Sequence, residues 1–220
     1  MIKLMPDKIE NQIEEAGIIA VLVIEDAEKA VKLAQTLVNS GITAMELTLR
    51  TDAAISALEK ISTSVPEMVA GAGTVLTSSQ VQQVKNAGAD FAVAPGYNHE
   101  VLKAAREAQV PYAPGVCIPS EIEATVAEGC RILKFFHAEG MGGLKYLKGI
   151  NNPYKYLNLR YIPLGGVSIE NMKSYLEASE IIALGGSWIA PAAFINENDW
   201  DSIARNADEA VKILREVRGE

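Results

Sequence analysis

Ala44-Met-Glu-Leu-Thr-Leu-Arg50 alternates apolar and polar side chains. In an extended strand successive side chains point to opposite faces, so Met45, Leu47 and Leu49 share one face and Ala44, Glu46, Thr48 and Arg50 the other. The apolar set suits packing against helices, which turns the polar set toward an enclosed interior. A carboxylate and a guanidinium then share that interior, with Arg50 one layer nearer its mouth. Two readings follow: an internal ion pair that only stabilises the fold and is costly to break, or part of a polar site.

Seven further β-type runs flank this one: Ile18–Ile24, Met68–Val75, Phe91–Gly96, Pro111–Val116, Arg131–Ala138, Tyr161–Ser168 and Ile181–Trp188. Each starts 20 to 30 residues after the previous one, and several are near-continuous apolar runs, as in parallel strands buried on both faces. Helix-period stretches lie between them. Asp26 reads as an N-cap, with Ala27, Ala30, Val31, Ala34 and Val38 following at helical spacing and Gly41 at the C-terminal end. Thr77 with Gln80 and Ser120 with Glu123 have capping-box spacing, and Asn98 and Ser168 stand where further caps are expected. Ile203, Ala207, Ala210, Val211 and Leu214 line a last helix. Alternating strand and helix gives a parallel sheet. Eight units in 220 residues, with no G-x-G-x-x-G opening a first helix, favour one closed (β/α)₈ barrel over residues 1–220 rather than an open sheet. Pro6 to Glu15 is expected to form an extra N-terminal helix closing one end.

Composition narrows the function. The net charge of −8 argues against a nucleic-acid partner and requires that any anionic substrate meet a local positive site. No run of apolar residues is long enough to span a membrane, and the first residues lack a signal-peptide core, so a cytoplasmic protein is expected. Cys117 and Cys130 read as small buried hydrophobes rather than a disulfide or metal pair.

In a barrel of this type function sits at the C-terminal strand ends. Lys134 lies between Leu133 and Phe135, with Phe136 on its own face. An ammonium there loses hydration, and the free amine is the form that attacks a carbonyl; a snorkelling or salt-bridged lysine is the other reading. Leu164-Gly-Gly-Val-Ser168 and Leu184-Gly-Gly-Ser-Trp188 close the last two strands, where exposed N–H groups bind phosphate in this fold, although either is also compatible with an ordinary tight turn. Gly71-Ala-Gly-Thr74 offers the Thr74 hydroxyl to a carboxylate, and Pro95 in Ala94-Pro-Gly96 stiffens a pocket wall; both also fit simple turn chemistry. His99 is expected in solvent. His137 falls one residue off the Lys134 face, which argues against a catalytic role. Two dispersed histidines make a divalent-metal site unexpected.

Glu46-Leu-Thr-Leu-Arg50, Gly71-Ala-Gly-Thr-Val75, Ala94-Pro-Gly96, Lys134-Phe-Phe136, Gly165-Gly166 and Gly185-Gly-Ser-Trp188, in that order over Ile18 to Trp188, resemble the 2-keto-3-deoxy-6-phosphogluconate aldolase family, which includes bifunctional 4-hydroxy-2-oxoglutarate aldolases. The resemblance implies a metal-independent class I aldolase needing no cofactor, acting on a small 2-keto acid phosphate, and assembled as a homotrimer. It assigns the Schiff base to Lys134 and proton transfer to Glu46. Arg50 and Thr74 would hold the carboxylate, Pro95 and Phe136 line the pocket, and Gly165, Gly166 and Ser187 take the phosphate. Two residues depart from the family pattern. Leu164 stands where the gluconate-type members often carry Thr; the galactonate-type aldolases also tend to be apolar there but usually lack the equivalent of Arg50. His137 stands where Pro is common. A barrel isomerase or decarboxylase of sugar phosphates, and a non-catalytic phospho-ligand binder, are the competing readings of the same glycine turns.

Overall fold

The computed structural model describes residues 4–220. Helix α1 (Asp7–Ala16) precedes strand β1 (Ile18–Leu22), and strands then alternate with helices: α2 (Ala30–Asn39), β2 (Ala44–Thr48), α3 (Ala54–Ser64), β3 (Val69–Gly73), α4 (Ser78–Asn86), β4 (Phe91–Val93), α5 (His99–Ala108). The second half runs β5 (Tyr112–Ala113), β6 (Gly115–Val116), α6 (Pro119–Ala127), β7 (Ile132–Phe135), α7 (Gly143–Asn151), β8 (Arg160–Pro163), α8 (Met172–Leu176), β9 (Leu184–Gly186), α9 (Ala192–Glu197) and α10 (Trp200–Arg218). All pairings are parallel, in the orders β5-β4-β3-β2-β1-β9 and β6-β7-β8.

The two sheets form one ring. β5 and β6 are a single barrel strand interrupted at Pro114, which has no N–H to give to a ladder, although its carbonyl still accepts from the Lys134 N–H at 2.9 Å. At the other seam the Tyr161 N–H donates to Glu180 O at 2.8 Å and the Ile182 N–H to Tyr161 O at 3.1 Å, joining β8 to the approach of β9. The chain is a closed (β/α)₈ barrel.

Side-chain alternation divides the core into two shells. Ile19, Ala44, Val69, Phe91, Val93, Ala113, Ile132 and Ile162 fill the interior, while Ala20, Met45, Leu47, Ala70, Ala72, Ala92, Leu133 and Phe135 pack outward against the helices. Helix α1 closes the N-terminal end: Ile13 is fully buried in the interior cluster, with Ile9 and Ala16 beside it. Burying a side chain of that size is worth about 1.5–3 kcal/mol. The helix stops at Gly17, whose φ of 64° a side chain would strain.

Several expectations need correction. β2 ends at Thr48, β8 at Pro163 and β9 at Gly186, because the apolar pattern runs on into the mouth loops where ladder pairing has stopped. Arg50 therefore lies beyond its strand, exposed, and does not pair with Glu46 in the interior. Ser120 caps no helix: α6 starts at Pro119, and Glu121 accepts from the Cys117 and Ile118 N–H groups. Ser168 instead opens a turn in which its N–H donates to Asn171 Oδ1 at 2.8 Å. The Thr77–Gln80 box and the Asp26 and Asn98 caps are present. Gly41 forms a Schellman end to α2, with its N–H on Val38 O and the Ile42 N–H on Leu37 O, both at 2.9 Å. Cys130 is buried but Cys117 only half-buried, and both are free. No helix among the described residues is long and apolar enough to cross a membrane.

Gly71 faces the interior, where an added Cβ would sit 2.2 Å from the Phe91 ring. Gly71→Ala should therefore lower stability by about 1–3 kcal/mol through overpacking. Gly96→Ala, with open space at its Cβ, should stay within about 0.5 kcal/mol of the parent. Urea unfolding of the two variants checks the difference.

Candidate active site

Lys134 on β7 and Glu46 on β2 come from opposite sides of the ring and meet across it. The Lys134 Nζ donates to Glu46 Oε1 at 2.7 Å and to Oε2 at 3.1 Å, with the two side chains only 5% and 2% exposed. Lys134 is thus salt-bridged, and its partner is the carboxylate for which pairing with Arg50 is one of the two sequence readings. The contact needs Gly73, since a Cβ there would stand 1.9 Å from Glu46 Oε1. Phe136 covers the pair, its ring centroid 5.7 Å from Nζ. The carboxylate is a proton acceptor within hydrogen-bond reach of the amine, the geometry that general-base catalysis on a nucleophile requires.

Above the pair opens a cavity of about 360 Å³. It brings together every residue singled out in the sequence for this site: Glu46, Arg50, Thr74, Pro95, Lys134, Phe136, Gly165, Gly166 and Ser187, with Leu164 among them. Thr74 follows β3 with φ 61°, a left-handed conformation that costs a non-glycine residue about 1–2 kcal/mol. Such strain clusters at functional sites. Gly115 allows β6 to approach the Pro95 carbonyl, which a Cβ would meet at 2.3 Å.

Gly165 and Gly166 have consecutive φ values of 94° and 77°. No acceptor among the described residues pairs with the N–H groups of Gly165, Gly166, Val167 or Ser187, so the first three form a free run of donors, the kind of nest that holds an anion. The His137 ring packs beneath: a Cβ on Gly165 would lie 2.7 Å from its Cγ and Cδ2. The Gly140 N–H donates to His137 Nδ1 at 3.1 Å, which places the ring proton on Nε2. His99 is exposed but not free, with Nδ1 3.4 Å from Glu128 Oε1.

Thr48 and Val21 also line the cavity and were not assigned a role from the sequence. The Thr48 hydroxyl donates to Leu22 O at 3.0 Å and accepts from Arg50 Nε at 3.1 Å. Its place on the polar face of β2 was the available signal. A larger cavity of about 540 Å³ between α2 and α10 is lined by the mixed charges of Asp208, Lys212, Arg215 and Glu216 and lacks this convergence.

Residues 9–206 match the family model described as KDPG and KHG aldolase. The chain is 41% identical over 202 residues to 2-dehydro-3-deoxy-phosphogluconate aldolase of Dickeya dadantii, covering 91% of this chain and 94% of that one. It is 39% identical over 203 residues to KHG/KDPG aldolase of Escherichia coli K12, covering 92% and 94%. The KDPG aldolase of Legionella pneumophila, solved with pyruvate captured at low pH as a covalent carbinolamine, superposes with a TM-score of 0.87 at 35% identity over 91% of this chain and 97% of that one. Fold, site and relatives together define an aldehyde-lyase. The chain belongs to the KDPG and KHG aldolase family.

Removing one member of a buried ion pair strands the other charge. Lys134→Met should accordingly cost about 3–5 kcal/mol of unfolding free energy, and adding Glu46→Leu should restore most of it. Urea denaturation of the single and double variants measures both steps. A cost below about 1 kcal/mol for the single variant would mean that Glu46 is solvated or protonated in solution.

Proposed function

We propose that this protein is a class I aldolase cleaving 2-keto-3-deoxy-6-phosphogluconate to pyruvate and glyceraldehyde 3-phosphate through a Schiff base on Lys134. The observation that carries the reading is the Lys134 Nζ held against Glu46 at the base of a ligand-sized cavity. Glu46 takes a proton from the ammonium, and the amine attacks the C2 carbonyl. Glu46 returns that proton to the carbinolamine hydroxyl, which leaves as water to give an iminium and restores the carboxylate. A base then removes the C4 hydroxyl proton, the C3–C4 bond breaks, and its electron pair passes into the iminium to leave an enamine. Glu46 is the carboxylate available for that proton and for its return to C3. Hydrolysis of the pyruvyl iminium restores Lys134.

Binding follows from the cavity's two ends. Arg50 presents a planar fork to the substrate carboxylate, with the Thr74 hydroxyl beside it. The donors of Gly165, Gly166 and Ser187 take the phosphate, and Pro95 and Phe136 shape the wall. These groups supply the local attraction that a chain of charge −8 must provide for an anion. The same nest holds the distal carboxylate of 4-hydroxy-2-oxoglutarate through bridging water, and cleavage of that acid gives pyruvate and glyoxylate. One observation favours the C4 epimer, 2-dehydro-3-deoxy-6-phosphogalactonate, as a second substrate: Leu164 is buried against Gly185 and puts a branched apolar group in the pocket. Residues 1–220 are read as one barrel domain of a cytoplasmic homotrimer, which sedimentation mass tests.

Borohydride reduction in the presence of pyruvate should leave a pyruvyl adduct on Lys134, located by peptide mass, and Lys134→Met should abolish it. In a coupled pyruvate assay the two epimeric 6-phosphates and 4-hydroxy-2-oxoglutarate should all release pyruvate, with activity unaffected by a chelator. No adduct and no pyruvate from any of the three would overturn the assignment.

A further inference from the structure

Arg50 is an exposed side chain just past the end of β2, and nothing in its own loop fixes where its guanidinium points. It lines two cavities. One contains Lys134 and Glu46; the other, about 410 Å³, runs between the Arg50 loop and α4, with Asp52, Gln80 and Gln83 on its walls. A guanidinium turned toward Asp52 would serve no substrate.

We propose that Thr48 is the positioning residue that aims Arg50 into the catalytic cavity and sets affinity for the carboxylate of the 2-keto acid. The inference rests on the reading of Arg50 as the carboxylate anchor. Thr48 is buried, 3% exposed, and its hydroxyl has two partners of fixed polarity. Leu22 O is a carbonyl and can only accept, so the hydroxyl proton goes there, at 3.0 Å. The oxygen's remaining lone pairs face Arg50 Nε, which can only donate, at 3.1 Å. The order Arg50 Nε, Thr48 Oγ1, Leu22 O is therefore one-directional, and it anchors an exposed cation to the backbone of β1.

The atom used for this contact matters. By binding through Nε, Thr48 leaves the two terminal nitrogens of Arg50 without a partner among the described residues. Those nitrogens form an end-on fork for a carboxylate. The Arg50 N–H donates to Thr48 O at 2.8 Å and tightens the same turn. Thr48 itself touches no reacting atom, so its contribution should appear in binding, with the chemical step unchanged.

Thr48→Val keeps the shape and removes the hydroxyl, whereas Thr48→Ser keeps the hydroxyl. Thr48→Val should raise KM, and the half-saturating pyruvate concentration for borohydride trapping, about tenfold, the scale of one hydrogen bond to a charged group. Its kcat should stay within about twofold, as for a loss of uniform binding. Thr48→Ser should restore KM to near the parent value. In an Arg50→Met background, Thr48→Val should add nothing further to KM, an interaction that a general structural role would not produce. Thr48→Ala provides the same comparison if the valine variant folds poorly. An unchanged KM in Thr48→Val alongside a raised KM in Arg50→Met overturns the proposal alone. An unchanged KM in Arg50→Met removes the carboxylate assignment and the proposal with it, while trapping on Lys134 still reports whether the Schiff base stands.

Discussion

The ion pair between Lys134 and Glu46 is the constraint around which the mouth of the barrel is built. The two residues come from opposite strands, so their contact exists only because the ring closes, and closing it requires both seams. Neighbouring positions give way to it. Gly73 vacates the volume Glu46 occupies, and Gly71 one layer below leaves room for the Phe91 ring. The interior thus changes character along its axis, from Ile13 of α1 through a layer of aliphatic and aromatic side chains to a single buried amine and carboxylate. Two unpaired charges at that depth would be expensive. As a pair they are held where an incoming carbonyl can compete for the amine.

Electrostatics of the whole chain and of the site point in opposite directions. An acidic protein repels an anion at long range, while the cavity answers locally with Arg50 on one rim and a run of free N–H groups on the other. The backbone donors add attraction without adding a titrating charge. This division leaves Lys134 as the cation buried between the two anionic ends of the proposed substrate.

Much of the barrel was legible in the sequence because its signals are local. The eight apolar runs, the closing helix α1 and the inward stripe of α10 all follow from periodicity and turn residues. Lys134 and Phe136 were placed on one face by alternation alone. The partner of Glu46 was not legible: Arg50 shares its strand, whereas Lys134 is 88 residues away and meets it only through closure. Strand ends were overrun because Leu164 and Ile181 stay buried just outside β8 and β9. Thr48 carried a polar signal with no indication of its two partners. Gly73 read as turn chemistry, and its packing reason appears only once Glu46 is in place.

The loop after β7 is fastened to the loop after β8, with the Ala138 N–H on Leu164 O at 2.8 Å and the Glu139 N–H on Gly165 O at 2.9 Å. The His137 ring and the Glu139 side chain fill the space below the two glycines. Lys134 and the glycine nest consequently belong to one stiff piece of backbone. In the proposed reading the span from the imine carbon to the anion nest is a fixed gauge. Chain length between the keto group and the terminal anion is then measured by the scaffold itself, and a shorter acid must bridge the remainder with water.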